Sequence, residues 1–471
     1  MAIHEECGVF GIYSKEITNV ADIVYYGLFS LQHRGQESCG IVVNDDGIFA
    51  SHKDLGLVSE VMTHDVMEKF PKGRIAVGHV RYGTTGGNER RNCQPIEINH
   101  KKGRLALAHN GNISNAAVLR DELEEDGAIF HTSSDTEIIA YLVTRERLKK
   151  PSIEEAIASA VKRLDGAFSL CFMSPTKMIA VRDPNGFRPL CYGVFPDGGY
   201  VVASESCAIN AVGARFVRDI VPGEMLVFNE DGMKSITDLC GIKERSSCIF
   251  ENIYFARPDS VIDGVSVHDS RIKAGRILAK NAPVEADVVV GVPDSGLDAA
   301  LGFSLESGIP YGIGMIKNKY IGRTFIAPES AGRTRLVQMK LAPVISTVKD
   351  KRVVLIDDSI VRGTTSREII EMIREAGAKE IHMRISAPAF LNPCYYGTDI
   401  DSREKLIAVS HSTEEICKMI GADTLAYLPV ESLKELANTD KICTACFTGK
   451  YPTKIFSDTR KDRFDKKLSE L

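Results

Sequence analysis

In VVLIDDSIVRGTTS (353–366), four apolar residues lead into two adjacent carboxylates, Asp357 and Asp358. Small residues and hydroxyls follow, and then a helix-like stretch. The C-terminal end of a strand in an open α/β sheet is where such sheets bind ligands. There the carboxylates can meet ribose hydroxyls or a Mg2+ ion, while Gly363, Thr364, Thr365 and Ser366 can form a compact anion nest. The segment is not a Walker loop, because the G-x-x-x-x-G-K-[ST] pattern is absent. An ordinary polar turn would give paired aspartates little packing value.

Twelve cysteines are spread unevenly along the chain. Cys443 and Cys446 have C-x-x-C spacing, which suits zinc, an iron–sulfur cluster or a redox pair. A metal would need two further ligands, and these can come from distant segments. Cys7, taken alone, is as readily a buried strand cysteine as a nucleophile. Attack on an amide needs a thiolate near a proton acceptor, since the neutral thiol is a poor nucleophile. Cys39, Cys93, Cys171, Cys191, Cys207, Cys240 and Cys417 read as packing residues, several of them inside apolar runs.

Taken together, the motifs resemble a known family. C-G-V-F-G-I, L-Q-H-R-G-Q-E-S (31–38), G-H-V-R-Y-G-T-T-G, H-N-G-N-I (109–113) and S-S-D-T-E (133–137) resemble the set found in glutamine amidotransferases with an N-terminal nucleophile. The 353–366 segment resembles the phosphoribosyl pyrophosphate loop of type I phosphoribosyltransferases. The combination, from Cys7 to about Tyr451, is similar to the glutamine phosphoribosylpyrophosphate amidotransferase family, which makes phosphoribosylamine at the start of purine synthesis.

The resemblance implies roles on both sides. Cys7 would attack the glutamine side-chain amide with its own α-amine as base. Arg81 would pair with the α-carboxylate and Asp135 with the α-amine. Asn110 and the Gly111 N–H would stabilise the oxyanion. Asp357 and Asp358 would hold Mg2+ and the ribose hydroxyls, with Ser295 of GVPDSG (291–296) as a third Mg2+ contact. Ser359, Gly363, Thr364, Thr365 and Ser366 would receive the 5′-phosphate. KNKYIGRTFI (317–326) resembles the family's mobile loop: Lys317, Lys319 and Arg323 offer charge for pyrophosphate, and Gly322 permits bending.

Cys7 is not encoded at position 1 or 2, so Met1–Glu6 are expected to be a leader cleaved before Cys7, as in some family members. The resemblance implies that Cys248 and Cys394 complete a ligand set with Cys443 and Cys446. The matching branch of the family binds [4Fe–4S], although four thiolates alone suit zinc equally. The resemblance also implies one Mg2+ and one cluster per subunit, a homotetramer, and feedback inhibition by purine nucleotides (AMP, GMP, ADP, GDP).

The elements that must carry these residues have two textures. Residues 7–235 alternate short apolar runs with Gly-rich turns, which predicts strands at 7–13, 38–43, 74–80, 103–111, 166–173, 177–183 and 199–205. Helices are expected at 20–31, 115–125 and 135–149. From 275 onward the rhythm is strand, turn, helix: 286–292 and 352–358 are apolar runs leading into helices, Gly377 is a stop signal, and 380–386 is the following strand. The expected fold is therefore an N-terminal-nucleophile αββα sandwich followed by a type I phosphoribosyltransferase domain with a mainly parallel sheet. Residues 236–274 read as a junction, and the domain of 275–471 includes C-terminal helical and cluster-binding elements ending in a charged tail.

Composition sets the outer limits. With 471 residues there is room for two cores. A formal charge of -5 argues against bulk electrostatic binding of nucleic acid. No run is long and apolar enough to span a membrane, and MAIHEE is not a secretory signal, so a cytoplasmic location is expected. Glucosamine-6-phosphate and asparagine synthases share the N-terminal chemistry but not the IDDSIVRGTTS segment. The alternative outside enzymes is a non-catalytic purine- or phosphoribosyl pyrophosphate-sensing regulator, for which no helix-turn-helix is evident.

Overall fold

The structure is a computed structural model that describes residues 7–82, 89–320, 340–398, 400 and 402–456. These residues divide into two compact units: one gathers 7–247, 395–398 and 451–456, and the other holds 248–394 and the described residues from 400 to 450.

The first unit is a pair of antiparallel sheets between helical layers. One sheet has seven strands in the spatial order Arg215–Asp219, Cys191–Val194, Tyr200–Ala203, Gly8–Thr18, Gly73–Arg81, Ser38–Asp45, Ile48–Leu55. The other has six, ordered Gly232–Ile236, Met225–Asn229, Met178–Arg182, Gly166–Met173, Gly103–Ile113, Ile96–His100. Side chains on a strand alternate between faces, and both faces are buried here. On the first strand, Phe10 and Ile12 pack toward helix Val20–Ser30 with Val24 and Leu28. Val9 and Tyr13 face the second sheet, meeting Ala106, Cys171 and Met178. Leu107, Phe168 and Leu170 turn the other way, toward Ile138, Leu142 and Ile157 of the outer helices. This is the expected αββα sandwich.

All seven predicted strands form, and the helices run Val20–Ser30, Ala116–Glu125 and Asp135–Lys149. The last is capped by Ser134, whose side chain accepts from the Thr136 N–H. A further helix, Ile153–Val161, was not anticipated; Ser152 caps it and Ala156, Ile157 and Ala160 are buried. The edge strand Ile48–Leu55 also escaped notice, because its half-exposed sequence IFASHKDL carries no buried face to alternate.

The second unit is built on a four-stranded parallel sheet in chain order: Val288–Gly291, Arg352–Asp357, Glu380–Ile385, Thr424–Tyr427. Helices Gly296–Ser307, Thr364–Glu375 and Thr413–Ile420 lie between successive strands. Val288–Val290, Val353–Ile356 and Ile381 share one core with Phe303, Ile369 and Ile373. Fully buried parallel strands read as continuous apolar runs, which is why ADVVVGV and RVVLIDD stood out. Residues 236–274, read as a junction, contain a π-helical turn at Glu251–Phe255 and the start of helix Val267–Asn281. That helix was hidden by its polar first turn, VHDS, which Ser266 caps. The leader, Arg323 with Gly322, part of G-H-V-R-Y-G-T-T-G and the charged tail lie outside the described residues. Among the described residues no helix is long and apolar enough to cross a membrane.

Candidate active site

In the first unit, Cys7 directly precedes the central strand of the seven-stranded sheet and is half-buried; its Sγ lies 3.6 Å from the Tyr82 carbonyl oxygen. Arg34 Nε donates to the Cys7 carbonyl at 3.1 Å, and its Nη1 donates to Glu205 Oε1 at 2.6 Å. His33 Nε2 sits 2.7 Å from the same Glu205 oxygen.

Asn110 is completely buried on strand Gly103–Ile113. Its Nδ2 lies 3.5 Å from Ser204 Oγ, which also accepts from the Val9 N–H at 3.0 Å. Ser204 thus ties Asn110 to the strand that follows Cys7. Asn110 Oδ1 is buried with no partner among the described residues. Gly111 has φ 139°, and a Cβ there would stand 2.1 Å from the Ala167 oxygen on the paired strand. Only glycine allows that approach.

Asp135 opens helix Asp135–Lys149 and accepts from the Ile113 N–H at 2.9 Å, two residues beyond Gly111. Burial alone would raise its pKa, but His109 at 3.5 Å, the Ile113 N–H and the Arg81 charge outweigh burial and hold the carboxyl below its ordinary range. Arg81 ends strand Gly73–Arg81 and is almost fully buried. An anionic carboxylate, a buried guanidinium, a thiol and an amide side chain therefore share one end of the sandwich.

In the second unit, Asp357 ends the second parallel strand and Asp358 follows it; each is 8% exposed. The Asp358 N–H donates to Asp357 Oδ1 at 2.9 Å, while the hydroxyls of Ser295 and Ser359 donate to the two Asp358 oxygens. Burial, and then the charge of Asp358, pushes Asp357 well above the usual carboxylate range. Burial also raises Asp358, against the pull of the Ser295 and Ser359 hydroxyls and the Arg271 charge. Gly363, at φ 78°, precedes helix Thr364–Glu375, so the first-turn N–H groups of Thr364, Thr365 and Ser366 lie at a helix N-terminus. Lys317 pairs with Asp294, next to Ser295; Lys319 is exposed.

Three cysteines of the expected cluster set, Cys248, Cys394 and Cys446, pack at the edge of this unit's core, and Cys443 is buried. Backbone bonds hold their segments together: Ile249 N to Cys443 O at 3.5 Å, and Leu391 N to Cys446 O at 3.0 Å. Burial, then the nearby Cys394, Cys443 and Cys248, raises the Cys446 thiol well above its ordinary value. Among the described residues, no group of three or more His, Cys, Asp or Glu side chains is arranged to hold a metal ion. Among the described residues no cysteine forms a disulfide. Cys39 and Cys171, read as packing residues, are fully buried, and burial pushes both thiols up to about 12.

A glutamine amidotransferase domain family matches residues 82–211, and a phosphoribosyl transferase domain family matches residues 268–401. The amidophosphoribosyltransferase of Bacillus subtilis is 51% identical over 464 residues, covering 97% of this chain and 96% of that protein. The chain belongs to the amidophosphoribosyltransferase family. The Methanocaldococcus jannaschii amidophosphoribosyltransferase is 49% identical, covering 95% of this chain and 98% of that one. A solved structure described as the allosteric regulatory enzyme of purine biosynthesis superposes with TM-score 0.90 at 50% identity, covering 96% and 97% of the two chains. The B. subtilis glutamine phosphoribosylpyrophosphate amidotransferase complexed with ADP and GMP gives TM-score 0.89 at 49% identity, covering 96% and 98%.

Four charged or titratable residues at the sites, His33, Arg34, Glu205 and Arg271, have no role in the motifs. Arg34 and His33 were inside L-Q-H-R-G-Q-E-S, and Glu205 was in the apolar run GYVVASE. A charged residue in or beside a buried run is the signal that would have marked them. Arg271, buried on helix Val267–Asn281 with its charge felt at Asp358, gave no comparable signal because the helix itself was not recognised.

Proposed function

We propose that the family reaction is divided in this chain between the Cys7 site and the Asp357–Asp358 site. Glutamine is hydrolysed at the first, and its ammonia is transferred to C1 of 5-phosphoribosyl 1-pyrophosphate at the second, giving 5-phosphoribosylamine, glutamate and pyrophosphate. This is the first step of purine biosynthesis. The observation that carries the division is the presence, on one chain, of a thiol sharing one end of the sandwich with Asn110 and Arg81, and of a buried aspartate pair at the end of a parallel strand.

Removal of Met1–Glu6 would expose the Cys7 α-amine, which then takes the thiol proton. The thiolate attacks the glutamine side-chain carbon, and the oxyanion is met by the Asn110 amide and the Gly111 N–H. Arg81 and the ionised Asp135 bind the α-carboxylate and α-amine. The Cys7 α-amine passes the thiol proton to the amide nitrogen, so collapse of the tetrahedral species releases ammonia and leaves a thioester, which water cleaves to glutamate and the free thiol.

The aspartate pair fits a divalent cation, because two adjacent buried carboxylates resist ionising together without one. Held by Asp357, Asp358 and Ser295, Mg2+ would offset charge on the departing pyrophosphate. Lys317, Lys319 and Arg323 bind that pyrophosphate, and Ser359, Gly363, Thr364, Thr365 and Ser366 bind the 5′-phosphate. Ammonia attacks C1 opposite the leaving group, so the sugar carbon inverts. Protected transfer keeps ammonia unprotonated and nucleophilic.

Cys248, Cys394, Cys443 and Cys446 fit a [4Fe–4S] cluster by donor type, and the other three lie near enough to Cys446 to raise its thiol, although their side chains would have to turn together to hold it. The cluster would act as a structural, oxygen-sensitive tie; zinc is the competing occupant. The proposal extends to a homotetramer, with the purine nucleotides AMP, GMP, ADP and GDP as feedback inhibitors, in line with the ADP and GMP of the B. subtilis relative.

The test uses amide-15N glutamine, phosphoribosyl pyrophosphate and Mg2+ with excess unlabelled ammonium. Phosphoribosylamine enriched in 15N is expected. Product labelled only in proportion to bulk ammonium would contradict protected transfer, and glutamate release without phosphoribosylamine would contradict the synthase reading.

A further inference from the structure

We propose that Glu205 is a positioning residue for the Cys7 nucleophile, acting through Arg34. The inference rests on the reading of Cys7 as the nucleophile. A chain terminus frays unless it is tied down, and cleavage before Cys7 would make the reacting residue a terminus. Besides the contact of its Sγ with the Tyr82 carbonyl oxygen at 3.6 Å, its position is set through the rest of its own residue and the strand that follows.

The structure contains such a hold. Arg34, 1% exposed, places Nε on the Cys7 carbonyl oxygen at 3.1 Å, which fixes the peptide joining the nucleophile to the sheet. The opposite edge of the guanidinium is locked by Glu205, also 1% exposed, at 2.6 Å. Glu205 is itself held by His33 at 2.7 Å and by the Cys207 thiol at 3.6 Å. One residue earlier, Ser204 Oγ accepts from the Val9 N–H and lies 3.5 Å from Asn110 Nδ2, and the Ser204 N–H donates to the Val9 carbonyl at 3.0 Å. The Ser204–Glu205 turn therefore fixes the strand behind the nucleophile and the amide expected to face the oxyanion.

Neutralising a buried arginine would account for Glu205 but not for Arg34 Nε reaching the Cys7 carbonyl. Losing the Glu205 charge frees the guanidinium to turn and lets the Cys7 peptide shift. Displacement of a reacting group by about 1 Å can cost about 100-fold in rate. The substrate ligands Arg81 and Asp135 are untouched, so binding should survive.

The experiment compares Glu205→Gln, Glu205→Asp and Arg34→Lys with the unaltered full chain. It measures kcat and KM for glutamine, the rate of Cys7 alkylation by iodoacetamide, and phosphoribosylamine synthesis from ammonium salts. Glu205→Gln and Arg34→Lys should lower kcat by about 10- to 100-fold and slow alkylation, with KM within twofold and ammonia-dependent synthesis retained. Glu205→Asp should recover part of the loss. Unchanged glutamine turnover, or parallel loss of glutamine- and ammonia-dependent synthesis in both Glu205→Gln and Arg34→Lys, would overturn the inference. An unaltered chain that fails to hydrolyse glutamine would instead refute the reading of Cys7.

Discussion

Replacing Gly111 by alanine tests whether the oxyanion strand is built around a missing side chain. At φ 139° an L residue is strained, and strain in such a region costs about 1–3 kcal/mol. The added Cβ would stand 2.1 Å from the Ala167 carbonyl oxygen and 2.6 Å from its carbon, both backbone atoms of the neighbouring strand. Those atoms cannot rotate away, so the pairing of Gly111 with Phe168 must open. Overpacking of this kind adds about 1–3 kcal/mol, for a destabilisation of roughly 2–6 kcal/mol. The Gly111 N–H moves with the strand, and loss of one oxyanion donor lowers kcat by about 100- to 1000-fold. Urea unfolding followed by a probe in the first unit, with glutaminase kinetics on the same preparation, reads both effects. A variant within about 0.5 kcal/mol of the parent that keeps normal kcat would refute the reasoning from contact to catalysis.

Further predictions concern buried charges and the cysteine set. Burial outweighs the Arg182 charge and nearby N–H donors to raise Asp183 from 3.8 to about 6. A carboxyl whose folded pKa is raised contributes most below its unfolded value and loses that contribution as pH rises through the folded value. Stability from this group should therefore fall by about 3 kcal/mol between pH 4 and just above 6, and Asp183→Asn should flatten that slope in pH-dependent denaturation. An identical slope in the variant would exclude Asp183 as its source. Asp135 has the opposite sign: its folded pKa is depressed, so its charge persists above 3.8 and is lost only as pH falls through the lower folded value. Asp135→Asn should raise KM for glutamine by about 10- to 150-fold, equivalent to one charge-assisted hydrogen bond, and an unchanged KM would remove Asp135 from the substrate site. Cys446→Ser, purified anaerobically, should lose iron and acid-labile sulfide together. Iron undiminished in the variant, or stoichiometric zinc in the parent, would displace the cluster assignment.

How much was legible in the sequence depended on whether burial left a periodic trace. The parallel strands carrying Asp357 and the sandwich strands around Cys7 and Asn110 are buried on both faces, so their apolar runs marked them. Ile48–Leu55 lies at a sheet edge and Val267–Asn281 begins with a polar turn; neither had that contrast. At the sites, Asp357, Asp358 and Ser359 were readable because they are adjacent in one short motif, whereas Ser295, 63 positions from Asp358, entered only through the family resemblance. The Arg34–Glu205 pair spans 171 positions and depends on how the sandwich closes, which no local pattern records. The same holds for the contact between Asp135 and Ile113, which join a helix start to a strand end.

The central claim is that Cys7 generates the ammonia consumed at Asp357 and Asp358. Phosphoribosylamine synthesis should be measured with glutamine and with ammonium salts for the unaltered chain, Cys7→Ala and Asp358→Asn. The account predicts that Cys7→Ala loses glutamine-dependent synthesis and keeps ammonia-dependent synthesis, while Asp358→Asn loses both. Glutamine-dependent synthesis surviving in Cys7→Ala, or ammonia-dependent synthesis surviving at full rate in Asp358→Asn, would contradict it.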